Sequence, residues 1–464
     1  MLFHSEELFR IRDTQRQKHS FLVRTLLQSI WPITRDSYTS SITPTLNNTA
    51  RVGLTRVGFE RTGATGPSLS FGLATSLQNF TRAQGRINPT WNYSDDLSWI
   101  KGKHTVQTGF NIRFIDNRIL TYGNSFPSYS FGRGTLLGLG QDIYTSALNY
   151  VAGGNTSLGL SNATAVTNAF GQLLGLLNGT SITYNYLKDG SILPIGDPRQ
   201  NNFINYNYEF YIQDTWRVNP KLTLTYGLRY SINTVPWEVN GMQVNTTTPS
   251  DIYFANRVGA ADNGIPVNQL PNSGRMTYDL YGPANGRDSW FVPDKNNWAP
   301  RLSLAYAVND KTVLRLGGSM VYDQYGNDLV SQMATSGSPG ITTAMSAPVS
   351  YNFTTSPRYG NGVLPDLPQP SPGGYPFTPL DNRAISGGLV YGMNPRLVAP
   401  YSFLLNAAVS HQFAKSYTIE VGYVGRLSRK SLLQQDIYSP ALYFKDAQSG
   451  LRLIDAAKGL RTVA

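Results

Sequence analysis

The stretch NYNYEFYIQDTWRVNPKLTLTYGLRYS, residues 205–231, alternates apolar and polar side chains on both sides of a short turn at Asn219-Pro220. In its second half the apolar positions are Leu222, Leu224, Tyr226, Leu228 and Tyr230. A period of two is typical of a β-strand with one apolar and one polar face. The stretch therefore predicts a long antiparallel hairpin.

The length of this hairpin indicates that its strands cross a membrane. Each arm has at least ten residues, against about five or six in a typical strand. About nine to eleven tilted residues are enough to cross a bilayer. The apolar face ends in aromatic residues such as Tyr206 and Tyr230, as strands do at a membrane interface.

The composition is that of a polar β-protein. Charged residues make up 14% of the 464-residue chain, against about a quarter in an average soluble protein. No apolar run reaches the roughly 18 residues that predict a transmembrane helix. The chain has no cysteine, which excludes disulfides, thiolate catalysis and Cys-ligated zinc or iron–sulfur sites.

The net charge of +11 makes nucleic-acid binding worth testing. However, Lys and Arg are dispersed along the chain, with no basic run beyond residues 10–18. That distribution provides no phosphate-binding footprint, so no nucleic-acid partner is predicted. We expect the charge to attract acidic outer-membrane lipid and lipopolysaccharide instead.

Other hairpins with short turns repeat the pattern. Their predicted arms are 37–44 and 50–59, 91–100 and 103–117, 298–308 and 312–322, and 401–413 and 417–426, followed by a strand at 431–438. The first of these turns is expected at residues 46–48.

Long segments separate the hairpins, at residues 118–202, 233–296 and 323–400. Within the first we expect a short helix at 163–177 and a strand at 180–187. Short turns then lie on one rim of a meander and long loops on the other, as in outer-membrane barrels. The predicted fold class is all-β, an antiparallel meander of long hairpins forming part of a transmembrane β-barrel with long extracellular loops.

The pattern divides the chain into three parts. Residues 1–35 form a poorly defined N-terminal segment, residues 36–440 a partial outer-membrane barrel, and residues 441–464 a polar tail or truncated loop. About ten or eleven strands are expected in the barrel part.

Four segments carry a family resemblance: DDLSWIKGKHTVQTGFNIRF at 95–114, YIQDTWRVNPKLTLTYGLRY at 211–230, NNWAPRLSLAYAVNDKTVLRLGGSMVYD at 296–323 and VSHQFAKSYTIEVGYVGRLSRKSLLQQD at 409–436. In this order they resemble the barrel of TonB-dependent outer-membrane receptors of the Oar-like type. Members of that superfamily have an N-terminal plug and import siderophores, cobalamin or glycans.

The resemblance implies the β-barrel portion of a receptor/transporter in a Gram-negative outer membrane, for a small ligand such as a siderophore or glycan. A signal peptide, a plug, a TonB box and a terminal aromatic strand are not recognisable in the sequence. We therefore expect a fragment that lacks the plug and the C-terminal strands. The TonB complex is then a partner only of the intact parent protein.

Aromatic residues supply the candidate site positions. Those expected at the membrane interfaces are Trp91, Trp99, Tyr206, Trp216, Tyr226, Tyr230, Trp298 and Tyr322. Those expected to bind ligand from the loops are Trp237, Tyr281 and Trp290, because sugars stack on aromatic rings.

The sequence shows no catalytic constellation. It contains no Ser-His-Asp order, paired carboxylates or phosphate-binding loop, so we predict no enzyme and no cofactor. The four histidines are isolated in sequence, so no metal site is predicted.

Two alternatives stay open at this stage. The first is a small passive porin, which lies in the membrane but is not coupled to an energy source. A soluble or surface β-rich binding protein of the adhesin type requires Leu222, Leu224, Tyr226 and Leu228 to be buried under a second sheet.

Overall fold

The computed structural model describes residues 25–26, 34–71, 82–131, 169, 171–336, 338–348, 357–361, 364–370, 373–379, 392–414, 416–434, 436–437 and 444–461. The strands are β1 (Thr25–Leu26), β2 (Thr34–Thr43), β3 (Leu46–Arg61), β4 (Ser68–Phe71), β5 (Gln84–Lys101), β6 (His104–Thr121), β7 (Ser128–Phe131), β8 (Leu177–Asn185), β9 (Arg199–Asn219), β10 (Leu222–Asn233), β11 (Trp237–Glu238), β12 (Gln243–Thr246), β13 (Tyr278–Tyr281), β14 (Asn297–Asn309), β15 (Thr312–Tyr322), β16 (Thr342–Pro348), β17 (Tyr401–Ala414) and β18 (Tyr417–Arg429).

The α-helices are α1 (Ser250–Asp262), α2 (Asn327–Ser336) and α3 (Leu453–Arg461). Short 3₁₀ helices span Val267–Gln269, Pro271–Gly274, Pro283–Asn285 and Tyr359–Asn361. No helix in these described parts is long and apolar enough to cross a membrane.

Within the described residues, one twelve-stranded antiparallel sheet dominates the structure. Its order is β1-β3-β5-β6-β9-β10-β14-β15-β17-β18, with β2 also on β3 and β11 also on β9. Long strands that follow one another along the chain are neighbours in space, so the sheet is a meander of hairpins. Within the described ranges β2 and β18 do not pair with each other, so the sheet is not closed. The predicted all-β meander is confirmed.

Several strand boundaries differ from the sequence prediction. The first turn lies at Pro44-Thr45 rather than at 46–48, because proline is suited to a turn and cannot donate to the ladder. Strand β5 begins at Gln84, not at residue 91, and continues through Pro89, where its ladder to β6 has no pair.

Two other predicted elements differ as well. Residues 431–434 and 436–437, expected to be a strand, are not in a strand. The helix expected at 163–177 ends by residue 173, and Leu177 already begins β8; residues 163–168 and 170 lie outside the described part. The loop strand expected at 180–187 is confirmed as β8.

The sheet has two chemically different surfaces. Registers carry Tyr226 of β10, Leu302 of β14 and Leu316 of β15 onto one surface, called the apolar face. Arg229, Arg301 and Arg315 alternate with them on the other, called the polar face. Leu302 is 61% exposed and Tyr226 is 44% exposed. Among the residues that the structure describes, no second sheet pairs or packs over Leu302 and Tyr226, whereas the soluble alternative requires such a cover.

The described parts of the segments between hairpins contain strands and helices of their own. Strands from three of them form a four-stranded sheet in the order β16-β8-β7-β4, and β12 pairs with β13. These sheets, α1 and α2 are called the loop layer. It has its own buried cores, one around Val244, Tyr253 and Ile341 and one around Tyr129, Phe131 and Leu177.

Candidate functional site

The polar face of the main sheet holds a chain of hydrogen-bonded side chains that begins on β3 and β5. Arg51 Nη1 donates to Asp96 Oδ2, and the Tyr211 hydroxyl donates to Asp96 Oδ1 at 2.6 Å. Gly109 of β6 pairs with Asp96 of β5 on one side and with Tyr211 of β9 on the other. The Tyr211 side chain therefore crosses β6 at Gly109 to reach Asp96. Gly109 makes this possible, since an added Cβ would lie 3.0 Å from Tyr211 Cε1.

The chain continues through Glu209, which bridges two arginines. Arg229 Nη1 donates to Glu209 Oε2 at 2.6 Å, and Arg113 Nη2 donates to Glu209 Oε1 at 3.2 Å. The Arg229 guanidinium also lies 5.5 Å from the centre of the Tyr211 ring. Three strands, β6, β9 and β10, are therefore connected by ionic contacts on the same face.

A residue from a distant loop completes this network. Gln324 follows β15, yet its Nε2 donates to Glu209 Oε1 at 3.2 Å. Its Oε1 accepts from Arg113 Nη1 at 3.1 Å and from Asn207 Nδ2 at 3.2 Å. The chain leaving β15 therefore passes in front of the polar face instead of continuing away from it.

Helix α2 follows Gln324 and packs on the polar face near the long-loop rim. Its Val330, Met333 and Ala334 form a buried core with Ile119 of β6 and Phe203 of β9. Two arginines of the sheet also contact the helix. Arg86 Nη1 donates to Ser331 Oγ at 3.2 Å, and Arg199 Nη2 donates to the Ala334 carbonyl.

This arrangement presents charged and amide groups that can form hydrogen bonds to a polar solute. The network combines Arg51, Arg113 and Arg229 with Asp96 and Glu209, so positive charge exceeds negative charge. No group of three or more potential metal ligands occurs in the part of the chain that the structure describes. A face of this kind, covered at one end by α2, is suited to passing or holding a polar ligand.

Sequence periodicity missed this site because it classifies positions only as polar or apolar. A signal was present, however, for Glu209 and Arg229. With the turn at Asn219-Pro220, the predicted hairpin already brings them near one another on the polar face. No comparable signal exists for Gln324, which is 115 residues from Glu209.

All eight aromatic residues expected at the membrane interfaces lie on the apolar face. Trp99 and Trp216 are near the short turns, while Trp91 and Tyr206 lie toward the long loops. Tyr230 stacks on Trp298 with ring centres 4.3 Å apart. The remaining two are Tyr226 and Tyr322.

A carboxylate lies on the apolar face near the short-turn rim. Asp214 lies between Ile212 and Trp216, and His104 Nδ1 lies 2.6 Å from its Oδ2. The Tyr226 hydroxyl donates to the same oxygen at 2.9 Å. Asp214 Oδ2 therefore has two side-chain partners. His104, which is isolated from other histidines in the sequence, contacts a carboxylate in the fold.

The three loop aromatics have different environments. Trp290 is 2% exposed, and its Nε1 donates to the Val244 carbonyl at 3.1 Å. Its ring packs against Phe203 in the core beneath α2. Such packing leaves Trp290 without a free face for a ligand in this conformation.

Trp237 and Tyr281 are more accessible. Trp237 lies 6.0 Å from the Tyr206 ring, and the Arg287 guanidinium lies 5.2 Å from the centre of the Tyr281 ring. The described residues show no ring contact that joins these two to each other or to Trp290. Ligand binding by the three stays a prediction.

The chain is similar, at low sequence identity, to several solved structures of outer-membrane proteins. The outer membrane transporter YddB from Escherichia coli is 11% identical with a TM-score of 0.39, covering 85% of this chain and 34% of that chain. The copper transporter OprC is 8% identical with a TM-score of 0.31, covering 82% of this chain and 37% of that chain.

The alcaligin outer membrane receptor FauA from Bordetella pertussis is 9% identical with a TM-score of 0.23, covering 85% of this chain and 52% of that chain. The chain thus spans about a third of the length of YddB and OprC. No curated protein matches the chain.

The family comparison covers nearly the whole sequence. The model of a family described as an outer membrane beta barrel domain matches residues 16–455. That match agrees with the meander of long hairpins and with the exposed apolar face. The chain therefore belongs to the outer membrane beta barrel domain family, and its apolar face contacts lipid in the Gram-negative outer membrane.

Proposed function

We propose that the chain is the β-barrel portion of a TonB-dependent outer-membrane receptor/transporter of the Oar-like type. Its ligand is a small solute such as a siderophore or a glycan, and its role is transport rather than catalysis. The outer-membrane family match and the four Oar-like segments described above support this assignment.

The observation that carries the proposal is that Gln324 and α2 cover the polar face near the long-loop rim. An interior for a polar ligand needs hydrogen-bonding groups along its wall and a barrier against free leakage. The chain from Arg51 to Glu209 supplies the former, and Gln324 with α2 supplies the latter. Loop closure over an interior is a general means of controlling access to a site.

We also propose the partners of the chain and the boundaries of its parts. Residues 36–440 form the partial barrel, residues 1–35 precede it, and residues 441–464 belong to a tail or loop. Outer-membrane lipid and lipopolysaccharide surround the barrel. The TonB complex acts on the intact parent protein, whose ligand uptake is then expected to stop when a protonophore removes inner-membrane energy.

Permeation through the full chain tests the closure. The purified chain is reconstituted into liposomes, and swelling is measured in arabinose and in raffinose. We expect slow swelling for the native sequence. Replacement of residues 324–336 by a Gly-Ser linker of equal length should increase the arabinose rate several-fold, because it removes Gln324 and α2 from the polar face.

The matched control replaces residues 187–192, an exposed hairpin turn of the loop layer, in the same way. This variant should swell like the native chain. Rapid swelling of the native chain would favour the passive porin. An unchanged rate after replacement of 324–336 would show that this segment does not close the interior.

A further inference from the structure

The polar face beneath α2 carries charged and amide side chains on three adjacent strands, β5, β6 and β9. Ile119 of β6 pairs with Arg86 of β5 on one side. On the other side it pairs with Asn201 of β9. Arg199 lies two residues before Asn201, and Asn117 two residues before Ile119. The core residues Ile119 and Phe203 join this patch to Val330 and Met333 of α2.

Several polar atoms of the patch are buried without a partner. Arg199 is 6% exposed, and its Nε and Nη1 make no hydrogen bond. Asn117 is 2% exposed, and neither its Oδ1 nor its Nδ2 has a partner. The Oδ1 atoms of Asn201 and Asn88 are also unpartnered. Buried polar groups are normally hydrogen-bonded, so each of these atoms calls for an explanation.

The patch also carries uncompensated positive charge. Among the described side chains, neither Arg199 nor Arg86 has a carboxylate in salt-bridge contact, and the carbonyl of Ala334 offers Arg199 only a dipole. A buried cation without a counter-charge is strongly unfavourable. An anion with several oxygens would accept hydrogen bonds from Arg199 and from the Asn117 amide.

We propose that this patch is a binding site for an oxyanion group, a carboxylate or a phosphate, carried by a ligand that enters beneath α2. The site lies on the polar face, opposite the apolar face that contacts lipid, so lipid head groups are not its source. The inference deepens the proposed function, since it gives the chemistry of the ligand, but binding at this site requires no transport.

The probe is inorganic phosphate, added to the folded full-length chain in detergent micelles at constant ionic strength with chloride as reference. Isothermal calorimetry should show saturable binding with one site per chain. Arg199→Gln should weaken the affinity at least tenfold, because it removes the buried charge. Arg315→Gln, an exposed polar-face arginine paired with Glu420, is the matched control and should leave the affinity unchanged.

Asn117→Leu keeps the test decisive should Arg199→Gln fail to fold. The side chain of native Asn117 makes no hydrogen bond, so its replacement by an apolar residue of similar size should preserve or increase thermal stability. With an oxyanion site, phosphate binding weakens several-fold in this variant although the protein is folded. Unchanged phosphate affinity in Asn117→Leu and Arg199→Gln, or no phosphate binding by the native chain, would overturn the proposal.

Failure of this inference is distinguishable from failure of the proposed function. Phosphate binding is measured by calorimetry in detergent, without any gradient. Sugar permeation measures whether residues 324–336 block passage through the protein. Increased permeation after replacement of that segment, together with absent phosphate binding, would leave the transporter assignment in place and remove only the oxyanion site.

Discussion

The Tyr211 hydroxyl donates to Asp96 Oδ1 at 2.6 Å, although the two residues lie on strands separated by β6. The contact is possible because the strand between them has Gly109 at this level, and the tyrosine ring lies over its Cα. A glycine in a strand interior commonly marks such a close approach. Tyr211 thereby connects the Arg51–Asp96 pair with Arg229 and Glu209.

Substitution of Gly109 should disrupt this crossing. An alanine Cβ would clash with the Asp95 carbonyl oxygen and lie 2.9 Å from Asp96 Oδ1. We expect Gly109→Ala to lower the free energy of unfolding by about 1–3 kcal/mol, as overpacking generally does. Urea unfolding in micelles, followed by tryptophan fluorescence, measures this change. Gly318→Ala, whose Cβ would meet Leu405 Cδ2 at an ordinary 3.6 Å, should stay close to the native value.

Loss of the carboxylate at Glu209 should be costly because two arginines share it. Glu209→Gln leaves Arg113 and Arg229 without an acid, and the Glu209 side chain is only 13% exposed. Hydrogen bonds to charged groups contribute about 1.5–3 kcal/mol each, and we expect a loss in the lower part of that range because the arginines are partly solvated. Glu420→Gln, which breaks the exposed Arg315 pair, should cost about 0–1 kcal/mol. Equal losses in the two variants would contradict the shared role of Glu209.

The folding cost of an arginine substitution should depend on which face of the sheet carries it and on its depth in the membrane. Leu228 lies on the apolar face between Tyr226 and Tyr230, so Leu228→Arg should cost about 2–4 kcal/mol of folding free energy in lipid. Leu224→Arg should cost less, because Leu224 lies opposite Trp216 near the short-turn rim. Thr225→Arg should be mild, since Thr225 faces Thr215 on the polar side. The check is the folded fraction after urea titration in lipid vesicles, and indistinguishable values would argue against the assignment of faces.

The loop layer should loosen at alkaline pH before the main sheet does. Burial raises the pKa of Tyr325, beyond the end of β15, from 10.0 to about 12. Burial likewise raises the pKa of Tyr375, whose hydroxyl donates to the Pro339 carbonyl at 2.7 Å. The folded state therefore keeps its protons where the unfolded chain loses them. This contribution to stability is complete below pH 10 and declines as the pH rises through 12.

Limited proteolysis between pH 8 and pH 12, with circular dichroism of the sheet measured in parallel, tests this prediction. Cleavage in the loop layer should increase above about pH 10 while the strand signal persists. Tyr325→Phe should reduce the increase without loss of stability at neutral pH, because the Tyr325 hydroxyl is buried and unpartnered. A variant as alkali-sensitive as the native chain would contradict the role of Tyr325.

The hairpins and their faces were predictable from sequence because both depend on local alternation. A strand with period two identifies its own faces, and Asn219-Pro220 identifies its own turn, without knowledge of any other part of the chain. The first hairpin shows the limit of that reasoning. There, polar residues Asn47 and Asn48 resemble a turn, but β3 already includes them through pairing with Ser41 and Ser40.

Alternation alone could establish the meander, its apolar face and the rim of short turns. It could not establish that Gln324 contacts Glu209, that α2 packs on Ile119 and Phe203, or that Arg199 lies beneath that helix. These contacts join residues more than 100 positions apart, and their partners are chosen by register and by the folding of the loop layer. Local periodicity carries no information on which distant side chains meet, so the candidate site became visible only in three dimensions.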